Sequence, residues 1–167
     1  VSIGDGNGGV WMKKVDIKTV NEVNEFIASI IKELCKKHNV EKPIVVVVRG
    51  LPMMFSPFFG AGKIILNSIV YAFWEIDRES AERILRFVVA HEFKHYLQYL
   101  AGEIDFAITD AVYEAIKPKI EEAAIRFAEE YSKVSSAEVS TIFKRLFEVA
   151  AKTYSKRLPM MEVNVDV

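Results

Sequence analysis

Cysteine occurs once in this 167-residue chain, at Cys35. A lone thiol excludes an intrachain disulfide and a cysteine-rich zinc site, and it suits a reducing, cytoplasmic setting. Glutamine also occurs once, at Gln98, while Lys, Glu and Ile are plentiful, a bias seen in proteins from hot environments. Neither sign of charge is in excess, with 22 basic side chains against 23 acidic ones. The composition therefore predicts no nucleic-acid partner and no anionic-membrane partner. Long apolar runs are missing too. The strongest, Ile44 to Val48, is strand-sized, well short of the roughly 18 residues that span a membrane. Residues 1–15 begin rich in Gly and Asn rather than basic then apolar, and read as a flexible lead-in instead of a secretion signal.

What is present fits one domain, because a 51% hydrophobic chain of this length can bury its own core. From Asp16 to His38, Val20, Val23, Phe26, Ile27, Ile30, Ile31 and Leu34 recur at three- and four-residue spacings, predicting an amphipathic helix. Ile44 to Val48 is a β-branched run suited to a strand covered on both faces. Met53 to Phe59 and Gly62 to Asn67 flank Gly60-Ala61-Gly62, the pattern of a hairpin. Ser68 to Ile76 fits either a strand or a short helix. Asp77 can cap a long helix that Gly102 would stop. The helical pattern from Asp110 to Tyr131 contains Pro118, so two helices are expected there, with Pro118 in the first turn of the second. Ser135 to Glu138 offers a capping box for a last helix over 135–158 that runs to about Arg157 and ends before Pro159. The tail, 159–167, alternates Val with polar residues as a one-sided strand does.

The chemistry concentrates in His91-Glu92-Phe93-Lys94-His95. Histidines four apart on a helix project from one face, where both imidazoles can reach one ion. A catalytic zinc needs three protein ligands and an open fourth position. Glu92 follows the first histidine, where its carboxylate can act as a base rather than a ligand. The other reading is a pair of ordinary helix histidines, with Glu92 in a helix salt bridge. His38, the remaining histidine, closes the first helix and suits the negative end of its dipole. Lys32, Lys36 and Lys37 read as a solvated face, and Phe55, Phe58 and Phe59 as core or as a pocket lining.

The third ligand separates families. The metzincin extension needs Gly at 98 and His at 101, where this chain has Gln98 and Ala101. Downstream, Glu121-Glu122-Ala123-Ala124-Ile125-Arg126-Phe127-Ala128 resembles the E-x-x-A-x-x-F-A helix of gluzincins. With the histidine motif, the stretch 16–131 resembles the minimal gluzincins, or minigluzincins. The resemblance implies an α+β, zincin-like fold: a small, mostly antiparallel sheet packed on an N-terminal helix, an active-site helix and a glutamate helix, here with an added C-terminal helix and β-like tail. It also implies that Glu121 is the third zinc ligand. Ile125 departs from the Asp or Asn common in relatives, so support for one histidine is either missing or supplied elsewhere. Glu122 competes as ligand, with Asp105, Asp110 and Glu114 further alternatives.

The implied activity is zinc-dependent hydrolysis of a peptide or unfolded protein, with Glu92 taking the proton of a metal-activated water. An extended substrate would pair with a sheet edge, for which Gly62 to Leu66 is the expected strand, and Tyr113, Arg126 or Tyr131 could stabilise the oxyanion. A competing expectation is a latent or non-catalytic zinc protein. In it the tail adds to that edge, and Glu162 or Asp166 offers a carboxylate to the metal.

Overall fold

The computed structural model describes residues 13–49, 53–56, 62–104, 110–154 and 163–167. Within them the chain is α+β and mostly helical, with α1 (Ile17–His38), β1 (Ile44–Val48), β2 (Met54–Ser56), β3 (Lys63–Asn67), α2 (Ile69–Ile76), α3 (Arg78–Leu100), α4 (Asp110–Ser132), α5 (Ser136–Thr153) and β4 (Val163–Asn164).

Helix α1 starts where Asp16 accepts from the Lys18 N–H and ends on Asn39 in the left-handed conformation. It buries Val23, Ile27, Ile31 and Leu34, the stripe its periodicity predicts. The ambiguous stretch after β3 is helix α2. Its Val70 to Trp74 are all buried, so the apolar run lines the interior with no pleated alternation. Helix α3 opens on Asp77, whose side chain accepts from the Ser80 N–H. At its other end Gly102, at φ 76°, donates to the Tyr99 carbonyl while Glu103 donates to that of Gln98. This is the paired closure of a Schellman motif, which favours glycine for its positive φ.

The sheet is ordered β2-β3-β1-β4. The expected β2–β3 hairpin is there, with Met54 opposite Ile65 and Ser56 opposite Lys63. The expectation of a mostly antiparallel sheet gives way to a mixed one. Its outer pairs are antiparallel, but the central pair, β1 with β3, is parallel from Ile44–Lys63 to Val48–Asn67. Strand β3 is also not an edge, because β2 and β1 hydrogen-bond to its two sides. Nor does the tail join β3. Val163 pairs with Val47 and Asn164 with Val46, and Lys42 Nζ donates to the Val167 carbonyl at 2.9 Å, which places the described tail on β1.

Two helix boundaries differ from expectation. Helix α4 runs through Pro118 without a break. Glu114, whose carbonyl loses its partner to the proline ring, and Pro118 are both exposed, so water can satisfy that carbonyl. Helix α5 stops at Thr153, short of Arg157, because Tyr154 turns extended to bridge Lys13 and donate its hydroxyl to Glu75 at 3.0 Å. The start of α5 is half a capping box: Ser135 accepts from the Glu138 N–H, while the Glu138 carboxylate reaches Arg83 on α3.

Helix α3 is the axis of the domain and meets α1, α2, α4, α5, β2 and β3. Buried residues lie all round it, from Ala81, Ile84 and Leu85 to Phe93 and Tyr96. Among the described residues no helix is long and apolar enough to cross a membrane.

Candidate metal centre

His91 and His95 project from α3 as the four-residue spacing predicts, with their Nε2 atoms 3.2 Å apart. Both rings are largely sequestered, their side chains 17% and 10% exposed. Facing them on α4, Glu121 presents Oε2 at 3.2 Å from His91 Nε2 and Oε1 at 3.1 Å from His95 Nε2. The carboxylate thus straddles the pair. What brings α4 this close is small residues along its inner face: Ala124 and Ala128 are fully buried.

Where neither Nε2 carries a proton, two imidazole nitrogens and a carboxylate converging in this way set lone pair against lone pair, a repulsion that a cation between them relieves. Four-coordinate zinc with bonds near 2 Å holds its ligand atoms about 3.3 Å apart. The three separations here are 3.1 to 3.2 Å. The donor set of two nitrogens and one oxygen also suits zinc in its catalytic form, which keeps a fourth position open. Among the described residues, His91, His95 and Glu121 form the one group of acidic, histidine or cysteine side chains able to hold an ion. Burial lowers the His91 pKa; His95 beside it adds to the shift and Glu121 opposes it, and the net effect favours the neutral ring that a metal requires.

No protein-family model, curated protein or solved structure matches the chain.

The other candidates separate clearly. Glu92 is buried at 5% exposure on α3 and stands outside the ligand group. Glu122 is exposed and takes up Arg126 at 2.9 Å, which removes both the rival ligand and one oxyanion candidate from the cluster. Glu114 is exposed and pairs with Lys117. Asp105, Phe58, Phe59, Glu162 and the side chains of Asp110 and Phe55 lie outside the described residues. Asp166 is exposed beside β4 and is no part of the cluster. Tyr113 and Tyr131 flank Glu121 on α4, about 12 Å and 15 Å along the axis. His38 does end α1, but as a packed ring: Phe93 and Phe127 lie 6.0 and 5.5 Å from it, and burial lowers its pKa, with Lys37 and Lys94 contributing.

One contributor is absent from the sequence reading. Gln98, 1% exposed, places Oε1 2.8 Å from His95 Nδ1 and donates from Nε2 to the Ile120 carbonyl at 3.1 Å. In the sequence it had only ruled out the metzincin pattern. Its position three residues after His95, on the same helix face, is the signal that could have found it. Ile125, by contrast, packs against the core, and His91 Nδ1 is buried with no hydrogen-bond partner among the described residues.

Proposed function

We propose that this chain is a zinc-dependent peptidase of the gluzincin type, with His91, His95 and Glu121 as ligands and Glu92 as general base. The observation that supports it is the convergence of Glu121 on the histidine pair at 3.1 and 3.2 Å from another helix. A zincin-like reading of the fold goes with it, since one helix carries both histidines and the base while a second returns the glutamate. When bound, zinc would polarise a peptide carbonyl and bring the pKa of a water toward about 7.

The chain's own residues supply the rest. Glu92, held by α3 in a largely dry environment, accepts the water's proton and delivers it to the departing amine. Two imidazole ligands and one carboxylate would offset one of the two positive charges of a zinc dication. An extended peptide needs a strand to pair with. Because β3 is paired on both sides, that role passes to β2, the outer strand beside it, which also packs against α3. The described tail lies on β1, across the sheet from β2, and so does not block that edge.

Zinc content per purified chain and cleavage of an unfolded protein test the proposal together. Glu121→Ala is expected to lose most bound zinc. Glu92→Gln is expected to keep its zinc while turnover falls by about 100-fold or more. Full zinc in the first variant, or full activity in the second, would refute the corresponding assignment.

A further inference from the structure

We propose that Gln98 is a positioning residue for the metal centre: its amide holds the proton of His95 on Nδ1 and fastens that ring to α4 immediately before Glu121. The inference rests on the metal-site reading. The Ile120 carbonyl can only accept, so the amide end 3.1 Å from it must be the NH₂ group. That orientation leaves the amide oxygen facing His95 Nδ1 at 2.8 Å. An oxygen acceptor there requires a proton on Nδ1, and Nε2 is left bare. The bare nitrogen is the one 3.1 Å from Glu121 and 3.2 Å from His91 Nε2.

A single buried side chain thus sets two things. It chooses the tautomer of His95, the less favoured one in water, and it fixes where α4 sits along α3 at the point where Glu121 departs. Both bonds are buried, so losing either leaves an unsatisfied polar atom that water cannot readily serve. The Ile120 carbonyl can serve both Gln98 and its own helix, since it has two lone pairs. The other histidine, His91, has no such support at Nδ1 among the described residues, which concentrates the orientation of the histidine pair on Gln98.

Two measurements test this. In metal-free protein with ¹⁵N-labelled histidine, above the histidine titration range, long-range ¹H–¹⁵N correlation is expected to show His95 protonated on Nδ1. Gln98→Glu, which keeps the acceptor, should preserve that pattern. Gln98→Met, close in volume but unable to bond either partner, should lose it. Competition of the metal-free proteins against a chromophoric chelator should show Gln98→Met binding zinc about 10- to 100-fold more weakly than the parent. A control destabilised away from the centre, Leu146→Ala on α5, should keep its affinity. A parent His95 protonated on Nε2, or a Gln98→Met protein with unchanged zinc affinity, would overturn the proposal. If the parent binds no zinc, the metal reading fails separately, and the tautomer is still decided by the spectrum.

Discussion

Ala124 contributes one methyl group to the seam between α3 and α4, and it is fully buried there. Its size is what lets Glu121, one turn earlier, come within 3.2 Å of the histidines. Ala124→Leu should push the helices apart and cost about 1 to 3 kcal/mol of stability by overpacking. Zinc affinity should fall more than the stability loss alone explains, because ligand geometry tolerates little displacement. Urea denaturation of the metal-free variant beside its zinc titration measures both; unaltered affinity in a destabilised protein would contradict the account. At this scale the sequence was informative where chemistry follows from local spacing. His91 and His95 share a face because a helix repeats every 3.6 residues, and Glu121 stood out within a recognisable eight-residue pattern. Gln98 was not legible, since its role depends on which carbonyl of another helix lies within reach, and no local periodicity encodes that.

Helix α4 poses the sharper question of how a proline is accommodated. Pro118 sits inside a helix that continues from Asp110 to Ser132. Pro118→Ala should therefore restore a hydrogen bond to the Glu114 carbonyl and relieve a ring clash, a local gain of up to about 3 kcal/mol. The added freedom of the unfolded chain takes back up to about 1 kcal/mol of it. Were Pro118 in the first turn of a separate helix, the same change would be neutral or destabilising, so the sign of the shift in the denaturation midpoint decides between the two arrangements. The elements themselves were largely readable: α1, α3 and the start of α5 carry their capping residues in sequence, and β1 is a continuous β-branched run. Ends and pairings were not. Helix α5 ends at Thr153 because Tyr154 is drawn to Glu75, and β3 is interior because β2 folds back on it. Both outcomes are set by partners distant in the chain.

The whole molecule is tied together at Glu75, on α2. Its carboxylate accepts from the Asp16 N–H at 2.9 Å, the Thr19 hydroxyl at 2.6 Å and the Tyr154 hydroxyl at 3.0 Å, and pairs with Lys13 at 3.1 Å. The entry to α1 and the exit of α5 are thereby joined to α2. Burial alone would raise the pKa of this acid, but those four donors outweigh it and bring the value from 4.5 to about 2. A depressed acid stabilises the fold above its unfolded pKa, and that stability disappears as pH falls toward the folded value. The contribution is roughly 3 kcal/mol at neutral pH for a side chain only 9% exposed, lost between about pH 4.5 and about pH 2. Glu75→Gln should lower stability at neutral pH and flatten the difference from the parent across that acid window; parallel acid-denaturation curves would show the carboxylate is not the source. The α+β class was evident before the structure, but this junction was not, because it links residues 13, 16, 19, 75 and 154 through one side chain. The candidate metal centre, for its part, would act as a gauge of the seam that builds it. Two of its donors ride on α3 and the third on α4, so a slight hinge-like parting of the helices separates them while each helix is still wound. An ion held there would be released by such a parting, before either helix unwinds.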